Sequence, residues 1–254
     1  MCGRFVFTSP PAALRQIFGY IEQPNFPPRY NVAPTQPIPV VMLEHGGRHF
    51  HLMRWGLVPA WVEDPRKFSL LINARAETVL EKPAFKNAIK RRRCLIPADG
   101  YYEWQDSSGR KRPFFIHRRD GKPVGFAALA ETWMGPNGEE MDSVAIVTAP
   151  ASHDLAVLHD RVPVTIAPDD FERWLDGHAH DADHAMALLT GPREGEFAWH
   201  EISTRVNRVA NDDAQLLLPI TDEERVVEAP KPKKTAVRKA AAAAPEDEGQ
   251  GSLF

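Results

Sequence analysis

The chain has little cysteine: two residues, Cys2 and Cys94, in 254. Two cannot build a disulfide framework, and with no CxxC pair they exclude a structural zinc site of the usual spacing. A reducing cytosol fits this usage and would keep Cys2 a free thiol. Long apolar runs are missing as well. No stretch approaches the roughly 18 consecutive apolar residues of a membrane span. The start, Met1-Cys2-Gly3-Arg4-Phe5, has no basic stretch followed by an apolar one, so no secretory signal is expected. Cationic excess is lacking too, since Lys and Arg number 31 against 34 Asp and Glu, a net charge of −3. Nucleic-acid binding must therefore be argued from local basic patches. There is no internal repeat.

What is present is a series of short runs rich in β-branched and aromatic residues, separated by Gly and Pro. Pro39 to Leu43, His51 to Gly56, Arg93 to Pro97, Tyr101 to Trp104, Pro113 to His117, Val124 to Leu129 and Ser143 to Thr148 read as strands. Helical patterns are fewer: Pro11 to Phe18, Ser152 to Leu158 with Ser152 as N-cap, Asp169 to Leu175, and Asp181 to Leu189. Strands outnumber helices and do not alternate with them. This predicts an α+β fold around a curved, mainly antiparallel, barrel-like sheet with peripheral helices, as one domain over residues 1–222. Residues 223–249 are Pro, Ala, Lys and acidic, with almost nothing to bury, and read as a disordered linker. His178, His180 and His184, interleaved with Asp176, Asp181 and Asp183, match no standard metal spacing and read as a solvated loop and helix start.

The sharpest chemical feature is a cysteine directly after the initiator Met. Removal of Met1 would leave a chain beginning with a 1,2-aminothiol. Its amine (reference pKa about 7.7–8.0) and thiol (about 8.5) both supply useful nucleophile at neutral pH. An aldehyde would condense with the amine, and the thiol would close a five-membered ring. Position alone also fits a small buried hydrophobe. The Met-Cys-Gly start equally fits an N-terminal-nucleophile amidohydrolase, as in glutamine-dependent amidotransferases.

Further motifs follow in order: Arg29-Tyr30-Asn31-Val32-Ala33-Pro34-Thr35, Arg54-Trp55-Gly56-Leu57-Val58-Pro59, and Ile72-Asn73-Ala74-Arg75-Ala76-Glu77-Thr78. Next come Cys94 through Trp104, then Ile146-Val147-Thr148, His159-Asp160-Arg161-Val162-Pro163-Val164, and the segment around Arg205 to Asn207. With them the chain resembles the SOS-response-associated peptidase (SRAP) family, whose members cross-link to abasic sites. The resemblance covers nearly everything before the tail. It implies one SRAP-type domain, covalent capture of abasic sites in single-stranded DNA through Cys2, and no cofactor or metal. It implies that Asn73 positions the opened sugar or the Cys2 amine, that Glu103 moves protons at the imine step, and that His159 serves sugar ring opening. Burial of Glu103 would raise its pKa toward the neutral range that such a task needs, and an imidazole titrates near pH 6.5.

Single-strand binding needs cations for phosphates and aromatic surfaces for bases. Arg4, Arg75 and Arg161 within the motifs are the phosphate candidates, and Trp55 and Trp61 the stacking ones. Core packing fits Trp55 nearly as well. The run Lys90-Arg91-Arg92-Arg93 fits a basic track or a solvated turn equally. Gln250, Leu253 and Phe254 close the chain and resemble the peptide with which bacterial proteins dock on the replicative sliding clamp. The expected partners are single-stranded DNA with abasic sites and that clamp. The expected working unit is a cytoplasmic, nucleoid-associated monomer.

Overall fold

A computed structural model describes residues 2–107 and 109–227. The tail from 228 on, with Gln250, Leu253 and Phe254, lies outside the described residues. The strands are β1 (Phe5–Phe7), β2 (Arg29–Val32), β3 (Pro37–Glu44), β4 (Gly47–Trp55), β5 (Asn73–Arg75), β6 (Arg93–Ala98) and β7 (Gly100–Ser107). They continue with β8 (Arg110–Arg118), β9 (Val124–Met134), β10 (Glu140–Pro150), β11 (Arg161–Pro163), β12 (Thr165–Ile166) and β13 (Phe197–Glu201). Among the described residues six short α-helices accompany them, besides four short 3-10 segments: α1 (Pro11–Phe18), α2 (Ala88–Arg91), α3 (His153–Ala156), α4 (Phe171–Leu175), α5 (Ala182–Met186) and α6 (Asp222–Val227).

The heart of the molecule is a closed ring, β10-β4-β3-β6-β9, in which β9 returns to pair with β10. The β3–β4 hairpin turns at His45 (φ 50°) and Gly46 (φ 79°). Positive φ at both central positions is the two-residue turn whose twist matches its strands. β9 and β10 are buried along most of their lengths, continuously from Val124 to Ala130 and from Ser143 to Ala149. Both faces are covered, so the sequence shows small apolar runs instead of alternation. Closure is made by a parallel contact, Ser143 to Arg54 and Val144 to Trp55, within an otherwise antiparallel ring. The expected curved, mainly antiparallel sheet is thus present. It closes because β10 is long enough to meet β9, β4, β5 and β11 along its length.

A second, fully antiparallel sheet, β13-β8-β7-β1-β2, carries the chain start. Phe5 joins the two sheets, packing edge-on against Trp55 at 5.2 Å and Phe126 at 6.2 Å. Fully burying such a side chain is worth about 1.5–3 kcal/mol. Asp99, between β6 and β7, accepts from the Ser9 N–H at 2.8 Å and from the Thr8 N–H and the Ser9 hydroxyl, which anchors the chain just past β1.

Several expectations are refined. α1 forms over the expected residues. Ser152 occupies the N-cap position of α3, yet its hydroxyl bonds Asp154 Oδ1 at 2.7 Å instead of the helix backbone. Asp181 does cap α5, accepting from the His184 N–H at 3.0 Å. Arg93 leaves the basic run. It is 1% exposed and donates to the carbonyls of Ile89 (3.1 Å), Asp176 (2.7 Å), His180 (2.8 Å) and Trp174. Residues 222–227, placed in the linker from residue 223 on, form α6 instead. Its Arg225 reaches Glu201 of β13 at 3.2 Å, and that contact gives the helix a partner.

Candidate active site

Pairing of β1 with β7 sets the site. Phe5 faces Tyr101, and the Tyr102 N–H bonds the Arg4 carbonyl at 3.0 Å, so Gly3 and Glu103 come to line one cleft. The cleft, about 880 Å³, is also lined by Trp104, Gln105, Lys111, Leu158, His159 and Asn207.

Cys2, next to the lining residue Gly3, has no solvent exposure, and its Sγ lies 3.8 Å from the Arg4 carbonyl. Burial pushes its thiol far above the usual range, and the charge of nearby Glu103 pushes the same way. The thiol is therefore neutral at physiological pH. Asn73 comes from β5, which runs parallel to β10 with Asn73 opposite Ile146. Its Nδ2 donates to the Cys2 carbonyl at 2.9 Å, which fixes the backbone of the nucleophile. Its Oδ1 is buried and accepts no hydrogen bond among the described residues, so it remains available to a donor.

Glu103 is 4% exposed, and its Oε1 accepts from the Trp104 N–H at 3.3 Å. His159 follows α3 and is half-buried. Its Nδ1 lies 3.0 Å from the Arg161 N–H and 2.7 Å from Asp160 Oδ1. A neutral ring accepts from the former, and a protonated ring donates to the latter, so both protonation states find a partner. The four expected catalytic residues thus cluster as one nucleophile, one amide that holds it, one carboxyl and one imidazole. That set can attack a carbonyl and relay protons on either side of the attack.

The expected DNA contacts divide. Arg75 is exposed, two residues along β5 from Asn73, and among the described residues makes no hydrogen bond or close ion pair, although its charge acts on Glu77. Trp61 is 60% exposed and braced edge-on by Phe68 at 5.6 Å. Arg4 is half-buried and engaged, with NH1 donating to Asn31 Oδ1 (2.8 Å) and the Val206 carbonyl (2.9 Å). Two expectations are corrected. Trp55 is fully buried, with its indole N–H on the Ile72 carbonyl at 3.0 Å, and cannot stack on a base. Arg161 forms a fork on Glu77 at 2.8 and 2.9 Å and donates to the Thr148 carbonyl at 2.6 Å, which leaves its guanidinium no front for a phosphate.

Sequence reasoning gave no role to Trp104 or Asn207, yet they form a cleft wall, the indole N–H on Asn207 Oδ1 at 2.8 Å. Both lie inside the motifs, which was the available signal. Asn31, another motif residue, is fully buried. Its Nδ2 donates to the carbonyls of Val206, Arg208 and Asn211 at 2.8–3.2 Å, and so builds the loop that carries Asn207.

Fold and site together define a class of closed-barrel proteins in which a second-residue cysteine is held over a carboxyl-and-imidazole cleft. The chain belongs to the SOS response associated peptidase (SRAP) family, whose model matches residues 1–209. It is 32% identical over 221 residues to the abasic site processing protein YoqW of Bacillus subtilis, covering 85% of this chain and 99% of that protein. It is 35% identical over 195 residues to the abasic site processing protein YedK of Escherichia coli, covering 76% and 85%. The abasic site processing protein HMCES of Gallus gallus is 31% identical over 264 residues, covering 87% and 78%. Among solved structures, a Bacteroides thetaiotaomicron protein shares the fold with a TM-score of 0.78 at 22% identity, covering 87% of this chain and 100% of that one. Among the described residues no helix is long and apolar enough to cross a membrane.

Proposed function

We propose that this protein processes abasic sites in single-stranded DNA by covalent capture on Cys2 after loss of Met1. The observation that carries the reading is the hold of Asn73 on the Cys2 carbonyl at 2.9 Å, with Glu103 and His159 lining the adjoining cleft. The names of the relatives support the lesion as target.

The chemistry follows from the groups. His159 protonates the deoxyribose ring oxygen while the C1′ hydroxyl gives up its proton to water, and the ring opens to the aldehyde. The free Cys2 amine adds to the aldehyde carbon, and loss of water gives an imine. Asn73 Oδ1 accepts a hydrogen bond from that amine or from a sugar hydroxyl. The Cys2 sulfur then adds to the imine carbon. Its proton leaves by way of Glu103 and returns to the nitrogen, closing a thiazolidine with no oxidant or reductant. The same groups run the steps backward for slow release. Arg75 and Trp61 grip the flanking strand, with Arg4 setting the loop beside it. Residues 250–254 would tie the molecule to the sliding clamp, and its workplace would be the nucleoid in a reducing cytosol.

The test is a denaturing gel with intact mass spectrometry on protein lacking Met1, mixed with a single strand bearing one abasic site. A heat-resistant adduct requiring both the lesion and Cys2, and absent in Cys2→Ala, is expected. Folded, processed protein that forms no adduct would overturn the reading in favour of an amidohydrolase or a passive strand binder.

A further inference from the structure

Among the described residues only two non-glycine residues have positive φ, His45 and Thr35. The hairpin turn accounts for His45. Thr35 is different. Ala33-Pro34-Thr35-Gln36 is a turn closed by the Gln36 N–H on the Ala33 carbonyl at 3.3 Å, with Pro34 second and Thr35 third at φ 74°. That is a type II arrangement, whose third position ordinarily takes glycine or asparagine. A β-branched residue there is crowded against its own backbone.

Nothing in the packing explains the threonine. The turn is held by its backbone: the Thr35 N–H bonds the Trp55 carbonyl at 2.7 Å, and the Trp55 N–H bonds the Gln36 carbonyl at 3.0 Å. Gln36 Oε1 adds bonds to the Ala33 N–H and Arg29, each at 3.0 Å. Glycine would keep all of these. The Thr35 side chain is exposed, and its hydroxyl has no partner among the described residues.

Its place is specific, however. Trp55 is a rigid strut whose carbonyl holds Thr35 and whose indole holds Ile72, next to Asn73. The chain beyond Trp55 leads to the exposed Trp61 and lies against Leu70, itself 46% exposed. The exposed Thr35 side chain therefore projects from a backbone bonded to the same Trp55 that braces the carbonyl before Asn73.

We propose that the Thr35 hydroxyl donates a hydrogen bond to a phosphate of the single strand beside the lesion, and that its strained backbone aims it there. The proposal rests on reading the site as a single-strand interface. A phosphate is the fitting acceptor, because a short neutral donor gives positioning without base information, and serine and threonine commonly serve that way.

The experiment measures melting temperature and fluorescence anisotropy with a lesion-free oligothymidine over a salt series, on the full chain. Thr35→Gly is expected to melt about 2–4 °C higher as strain is relieved. It should nevertheless bind roughly tenfold more weakly, having lost a bond to a charged acceptor. Thr35→Val keeps the crowding but not the hydroxyl, and should lose binding equally without the gain in melting. Thr35→Ser should bind like the parent. The slope of affinity against salt should be the same in all, since a neutral hydroxyl displaces no counterion. If Thr35→Gly or Thr35→Val binds as tightly as the parent, the proposal is overturned. A parent that binds the oligomer but forms no adduct with an abasic strand overturns the covalent chemistry alone.

Discussion

Cys2 is the residue on which burial has the largest consequence. A solvent-facing cysteine would supply thiolate near neutral pH and be exposed to oxidants and alkylating agents. Here desolvation, with Glu103 adding its charge, keeps the sulfur protonated. The free amine must therefore begin the reaction, and the thiol follows once a base removes its proton. It follows that Cys2 in folded protein resists iodoacetamide at pH 8, reacting on the order of a hundredfold slower than in denaturant. Peptide mass spectrometry checks this, and comparable labelling rates in the two states would contradict the burial. The reactive residue types were legible in the sequence because their chemistry travels with their motifs. The allegiance of the cations was not. Arg161 turns to Glu77, and Arg4 to the Val206 carbonyl, partners 84 and 202 residues away in the chain. No local pattern carries that information.

Strands of six or more residues were legible at least in part, whereas β13, with five, and the shortest strands were not. β1, β5 and β11, at three residues each, hold too few side chains to display a period, yet two of them frame the site. β5 is fixed from outside by its parallel pairing to β10 and by the indole of Trp55 on the carbonyl that precedes Asn73. Trp55 thus places Asn73 without touching a substrate. Trp55→Phe would keep most of the packing but remove the indole bond and leave the Ile72 carbonyl only the Ile146 N–H at 3.0 Å, a loss of about 0.5–1.5 kcal/mol. Melting should drop by about 2–4 °C for each kcal/mol, with adduct formation slowed more than strand binding. A thermal melt beside an adduct time course tests this. A variant that melts lower yet forms adduct at the parental rate would reduce Trp55 to packing alone.

At the scale of the whole molecule, the barrel supplies rigidity and the second sheet supplies the nucleophile. The barrel-like curvature was legible in the sequence, but not which strands close it, because closure depends on β9 and β10 meeting along strands whose residues look alike on both faces. The described fold ends in a fastened helix. Arg225 of α6 pairs with Glu201 and with Asp222, and the Glu224 N–H bonds the Thr221 hydroxyl at 3.2 Å. The same Glu201, 8% exposed, also pairs with Arg112, whose bonds hold its carboxyl below the usual range. Beyond α6 the chain has 27 residues (254 − 227), enough to reach at most about 90–97 Å when extended. Under the proposed docking role such a length would raise the local concentration of the barrel near the clamp. Removing residues 250–254 should therefore leave melting and adduct formation unchanged. It should abolish binding to the purified replicative clamp, read by surface plasmon resonance with Leu253→Ala and Phe254→Ala as milder variants. Equal clamp binding by full-length and shortened chains would refute the docking role and leave the chemistry of the cleft standing.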